Sequence, residues 1–132
     1  MGTAGPWPAP TLKGVLHMGV KYRRKGFSRK ALRAYLKGAP QKKHRCGDAT
    51  NCVVANFIAD SLPFPEGTDY VQVFGNTIRF GTKGAGHQST DREYDAPKWV
   101  RKVVDRFDRI KGARNGLVTG QRAASELSEL LG

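Results

Sequence analysis

Hydrophobic and polar positions follow two periods along this chain, and the changes of period mark out its elements. The first clear pattern is a short helix over 29–37, in which Ala31, Leu32, Tyr35 and Leu36 share a face. Ser28 stands at the N-cap position, and Gly38 and Pro40 close the far end. Phe27 and Leu32 are spaced as a hydrophobic staple across that cap. A second helix, from residue 49 or 51 to Asp60 behind an Asp48 or Thr50 cap, carries Val53, Val54, Ala55, Phe57, Ile58 and Ala59. Apolar on nearly every side, it reads as a core helix.

Period two then takes over. With Gly75-Asn76 as a two-residue turn, Val73 pairs with Ile78, Gln72 with Arg79 and Val71 with Phe80, which puts the apolar side chains on one face and the polar ones on the other. The glycine-rich stretch 81–90 lacks the spacing of a P-loop and reads as a flexible connector. A helical period returns from Ala96 to Lys111 behind an Asp95 cap, with Trp99, Val100, Val103, Val104, Phe107 and Ile110 in one stripe. Glu93 and Asp91 read as offsets for Arg92 and Lys98 at its start. A last helix follows a Thr119 cap, with Ala123, Ala124, Leu127, Leu130 and Leu131 as its seam. A lone hairpin is marginal in water, so its apolar face must rest on helices. The expected fold class is α+β, with three to four short helices packed on a small antiparallel β-hairpin or three-stranded sheet.

Length fits one domain: 132 residues, 39% of them hydrophobic, supply a single core. The prolines and glycines of residues 1–10 predict a disordered leader. No apolar run approaches the roughly 20 residues that span a bilayer, and residues 1–10 lack the charged start and apolar stretch of a signal peptide. The expectation is no membrane insertion and a cytoplasmic location, the host cytoplasm if the gene is carried by a phage.

Charge changes this picture most. The formal net charge is +12, and its distribution is uneven. Residues 1–47 contain Lys13, Lys21, Arg23, Arg24, Lys25, Arg29, Lys30, Arg33, Lys37, Lys42, Lys43 and Arg45 and no acid, whereas residues 48–132 balance 11 basic against 11 acidic residues. The chain therefore divides into the leader, a basic segment over 11–47 that includes the 29–37 helix, and a charge-balanced α+β body over 48–132. A cationic stretch with no acid to neutralise it needs an external anion. Arg29 and Lys30 also sit in a first helical turn, where free backbone donors favour phosphate. The candidate nucleic-acid-binding residues are Lys21, Tyr22, Arg23, Arg24, Lys25, Arg29, Lys30, Arg33, Lys42, Lys43 and Arg45. Tyr22 and Phe27 would add stacking if the ligand were single-stranded.

His44, Cys46, Cys52 and His87 raise metal or thiol chemistry, but His-x-Cys-x5-Cys matches no zinc spacing, and Cys52 falls on the apolar helix. Core packing is the expected role of Cys52, and no catalytic residue, metal or cofactor is assigned.

Three segments taken together, Asp48–Ile58, Trp99–Asp108 and Val118-Thr119 ahead of an Ala-Ala-x-x-Leu helix, resemble small uncharacterised proteins of actinobacteria and their phages. In those, a Cys-x-hydrophobic-Ala helix, a hairpin and a Trp-led helix follow in this order. The resemblance implies a phage or actinobacterial context and no activity. The expectation is a non-enzymatic, phage-type accessory protein that binds nucleic acid through its basic segment, mainly by phosphate contacts. The alternative is a host-takeover or regulatory protein that binds an acidic surface of a host protein.

Overall fold

The computed structural model describes residues 20–84, 87–110 and 116–132, with 83–84 and 87–91 described by backbone alone. The expected leader, Lys13 and Lys111 lie outside those residues. The fold is α+β, with five helices among the described residues packed on two small antiparallel sheets. Helix α1 spans Arg29–Gly38, and Ser28 caps it by accepting from the Ala31 amide at 3.1 Å. Strand β1 (Lys43–Arg45) leads to α2 (Val53–Ser61). Strands β2 (Tyr70–Val73), β3 (Thr77–Gly84) and β4 (His87–Asp95) form a three-stranded meander. Then come α3 (Lys98–Asp108), β5 (Leu117–Thr119), α4 (Gly120–Glu126) and α5 (Ser128–Leu131).

The first hairpin has the register that its alternation dictates, Val73 opposite Ile78 and Val71 opposite Phe80, with Gly75 at φ 83° in the turn. Those four side chains face a core built from Leu32 and Leu36 of α1, Val53, Val54, Phe57 and Ile58 of α2, and Val100, Val103 and Phe107 of α3.

Several local expectations change. The stretch 81–90 is not a connector: its described part belongs to β3 and β4, which pair from Thr77–Asp95 to Gly84–His87 with a bulge after Phe80. Cross-strand hydrogen bonds need no apolar alternation, so a Gly- and Thr-rich sequence hid a hairpin. Helix α2 starts later than expected, at Val53 with Cys52 as its N-cap, because Asp48 spends its carboxylate on the Thr50 amide (3.0 Å) and hydroxyl (2.8 Å). Asp95 does not cap α3 either; Pro97 holds that position, while the Asp95 backbone pairs with the N-terminal segment. Glu93 meets Arg79 across the β3–β4 ladder at 2.9 Å rather than offsetting the start of α3. Thr119 does cap α4, accepting from the Arg122 amide at 3.2 Å, and the seam residues Ala123, Ala124, Leu127 and Leu131 are buried.

Strands β1 and β5 form a second sheet that joins residue pairs distant in sequence, Lys43–Thr119, His44–Val118 and Arg45–Leu117. This sheet brings the start of α4 against the end of α1. The Gly120 amide donates to the Lys42 carbonyl at 2.8 Å, and the Gln121 amide to the Pro40 carbonyl at 3.0 Å. A Cβ on Gly120 would overlap the Ala39 carbonyl oxygen and lie 2.9 Å from that of Leu36. Backbone atoms of a helix end cannot give way as a flexible side chain can. Gly120→Ala is therefore expected to destabilise the protein by about 1–3 kcal/mol, read as a lower urea midpoint; an unchanged midpoint would contradict this packing.

Candidate nucleic-acid interface

Residues 20–24 run as an extended segment beside β4, and a turn follows in which the Phe27 amide donates to the Arg24 carbonyl at 3.0 Å. The Tyr22 amide donates to the Asp95 carbonyl at 2.9 Å and the Asp95 amide to that of Val20 at 2.7 Å, with Lys21 bridged to Asp95 in parallel. Extended backbone sends successive side chains to opposite sides. Lys21 and Arg23 accordingly face solvent, as does Lys25 in the turn, whereas Tyr22 and Arg24 are buried, at 1% and 7% exposure. The Tyr22 ring packs on Phe27 (4.7 Å between centroids), Phe80 (5.7 Å) and Tyr94 (5.9 Å). Burial drives its phenol well above the ordinary value, against the pull of the Arg24 charge. Tyr22 and Arg24 thus leave the set of groups that a nucleic acid can touch. Phe27 is partly buried against the core and Trp99, so the stacking expected of it is largely taken up internally.

Gly26, at φ 88°, turns the chain into α1. Leu32 and Leu36 face inward, and the helical period puts Lys30 and Lys37 toward the outer side and Arg33 on the flank. Arg33 is half-buried and donates from Nη1 to the Gly132 carbonyl at 2.7 Å. With Lys37 and Gln41 it faces Gln121, Ser125 and Ser128 across a groove of about 500 Å³. Lys43 and Arg45 point outward from β1 on either side of buried His44.

Ion pairing is more frequent in the body than in the basic segment. Among the described residues, Lys21, Arg23, Lys25, Arg29, Lys30, Lys37 and Lys43 are exposed and make no ion pair. From the basic segment, Lys42 pairs with Asp60 at 3.5 Å. In the body, Arg79 meets Glu93, Arg101 meets Asp105 at 3.7 Å, and Arg122 meets Glu126 at 3.7 Å. Two residues that the sequence reading assigned to the body join the candidate surface. Arg29 lines a cavity of about 290 Å³ with Trp99 and Lys102 of α3 and Glu129 and Leu130 of α5. Trp99 sits at the edge of the apolar stripe of α3, three residues before Lys102, and that edge position was the available signal.

Among the described residues, His44, Cys46 and Cys52 do not converge on one site. His44 turns into the core and accepts at Nδ1 from the Asn56 amide at 2.8 Å, while Cys46 donates to the Phe107 carbonyl at 3.2 Å. Cys52 is buried, and burial pushes its thiol up to about 11. Among the described residues no group of His, Cys, Asp or Glu side chains is placed to hold a metal ion; the side chain of His87 is not among them. No helix among the described residues is long and apolar enough to cross a membrane. No known family model, curated protein or solved structure matches the chain.

His44 supplies a pH signature. Since Nδ1 accepts, its proton sits on Nε2, which is buried with no partner among the described residues. Burial, helped by the Lys42 charge and opposed by Asp60, lowers the imidazole to about 4 from 6.5. Below pH 6.5 the unfolded chain takes up a proton that the folded imidazole refuses until about pH 4. Stability is fully present above that window and falls by up to about 3 kcal/mol across it. His44→Leu should flatten this part of the urea-stability profile; a profile as steep as that of the parent would contradict the assignment.

Proposed function

We propose that this is a non-enzymatic accessory protein of phage type that binds nucleic acid through its basic N-terminal segment, chiefly by contacts to phosphate. One observation carries the reading: Lys21, Arg23, Lys25, Arg29, Lys30, Lys37 and Lys43 stand in solvent without ion pairs to described residues, while Arg79, Arg101 and Arg122 of the body are engaged by carboxylates. Self-repulsion among such groups is relieved when a polyanion replaces diffuse counterions. Extended chain over 20–24, the turn that follows it and a helix over Arg29–Gly38 hold these charges on packed backbone, so little ordering entropy opposes binding. Ser28 takes one free donor of the first turn of α1, and the remaining donors lie beside Arg29 and Lys30. The phage context rests on the resemblance in sequence pattern described above.

Contacts to phosphate carry no sequence information, so binding is expected to depend strongly on salt and weakly on sequence. With about six cations engaged, log affinity against log salt should have a slope near −5 on duplex DNA and about −4 on a single strand. A nearly flat salt dependence would overturn the reading. Recovery from lysate separates it from the alternative ligand: a partner retained after nuclease digestion is a protein with an acidic surface, and a partner lost on digestion is nucleic acid.

A further inference from the structure

We infer that the cavity at Trp99 seats an unpaired base, so that single-stranded nucleic acid is the ligand recognised at this end of the surface; this rests on the nucleic-acid reading above. Trp99 is partly buried, tilted against Phe27 at 5.1 Å between centroids, and lines a recess of about 290 Å³. Pockets for drug-sized ligands span about 300–1,000 Å³, so this one suits a single planar group. Arg29 reaches the recess from α1 and Lys102 from α3. An indole that shares a recess with two cations from different elements offers a stacking surface with phosphate partners nearby. Bases within a duplex are stacked on one another and cannot enter a recess, whereas a single strand can turn one out. Polar groups along α1 give the strand somewhere to continue. Lys30, Arg33 and Lys37 follow the helix from Arg29 to the groove lined by Gln121, Ser125 and Ser128, a rise of about 12 Å. Glu129 is the carboxylate that lines the recess. It opposes a polyanion, and this gives the proposal a second, oppositely signed test.

Replacing Trp7 by Phe leaves Trp99 as the sole tryptophan, since the sequence has two. Thymidylate and uridylate oligomers of about ten nucleotides, and a duplex of the same length, would be titrated into this variant at low salt. Both single strands should quench Trp99. Trp99→Leu should weaken them by about tenfold and leave duplex affinity within about twofold. Because Trp99 also packs on the core, Lys102→Glu on the exposed side of α3 serves as a second variant and should weaken the single strands. Glu129→Gln should strengthen them. Salt-dependent duplex binding with a silent Trp99 and no selective loss in the variants would overturn this inference and leave the nucleic-acid reading standing. Absence of binding to every oligomer would overturn both.

Discussion

Burial of one tyrosine ring decides what the basic segment is. If residues 20–27 were held only by charge, they would be a solvated tail, and every cation in them would be equivalent. Tyr22 instead enters the aromatic cluster of Phe27, Phe80 and Tyr94, and backbone hydrogen bonds to Asp95 lock the segment beside β4. Full burial of a large apolar side chain is worth about 1.5–3 kcal/mol, which exceeds the repulsion between neighbouring exposed charges in water. Alternation then follows from extended geometry: Lys21 and Arg23 out, Tyr22 and Arg24 in, with Lys25 exposed in the turn beyond. A charge run becomes a surface with a fixed set of presented groups.

The same logic holds on α1. Its inner face is tied to the core by Leu32 and Leu36, and its C-terminal end is clasped by the Gly120 and Gln121 amides. The approach is close enough that a side chain at position 120 has no room. On the flank toward α2, the Tyr35 hydroxyl donates to Asp60 at 2.5 Å, and Asp60 also holds Lys42. That carboxylate is thereby taken, and Lys30 and Lys37 on the outer face find no described acid in reach. Positive charge is concentrated on a rigid support because apolar contacts, and not ion pairs, supply the adhesion.

Local physics made much of this legible in the sequence. The Ser28 and Thr119 caps and the Val71–Phe80 hairpin register each depend on residues within a few positions of one another. The β1–β5 sheet was not legible, because its strands are three residues long, lie far apart in sequence and carry an inward histidine among cations. Helix starts failed where a capping residue had a better partner: Asp48 in its own turn, Asp95 in backbone pairing with residues 20–22. For the candidate site, charge located Lys21, Arg23, Lys25 and the α1 cations from sequence alone. The burial of Tyr22 and Arg24 required knowing that this run is extended, and the approach of Trp99 and Lys102 to Arg29 required the packing of α3 beside α1 and α5.

If exposed cations on this packed segment hold the ligand, reversing their charge must release it. Arg23, Lys25, Arg29 and Lys30 are exposed, so their joint replacement by Glu spares the core; Arg24 is left in place because it is buried. The comparison is oligonucleotide affinity of parent and variant at equal salt, with circular dichroism and thermal melting as the check on folding. A folded variant whose affinity falls by at least about a hundredfold is the expected result. A folded variant that binds within about twofold of the parent would contradict the account.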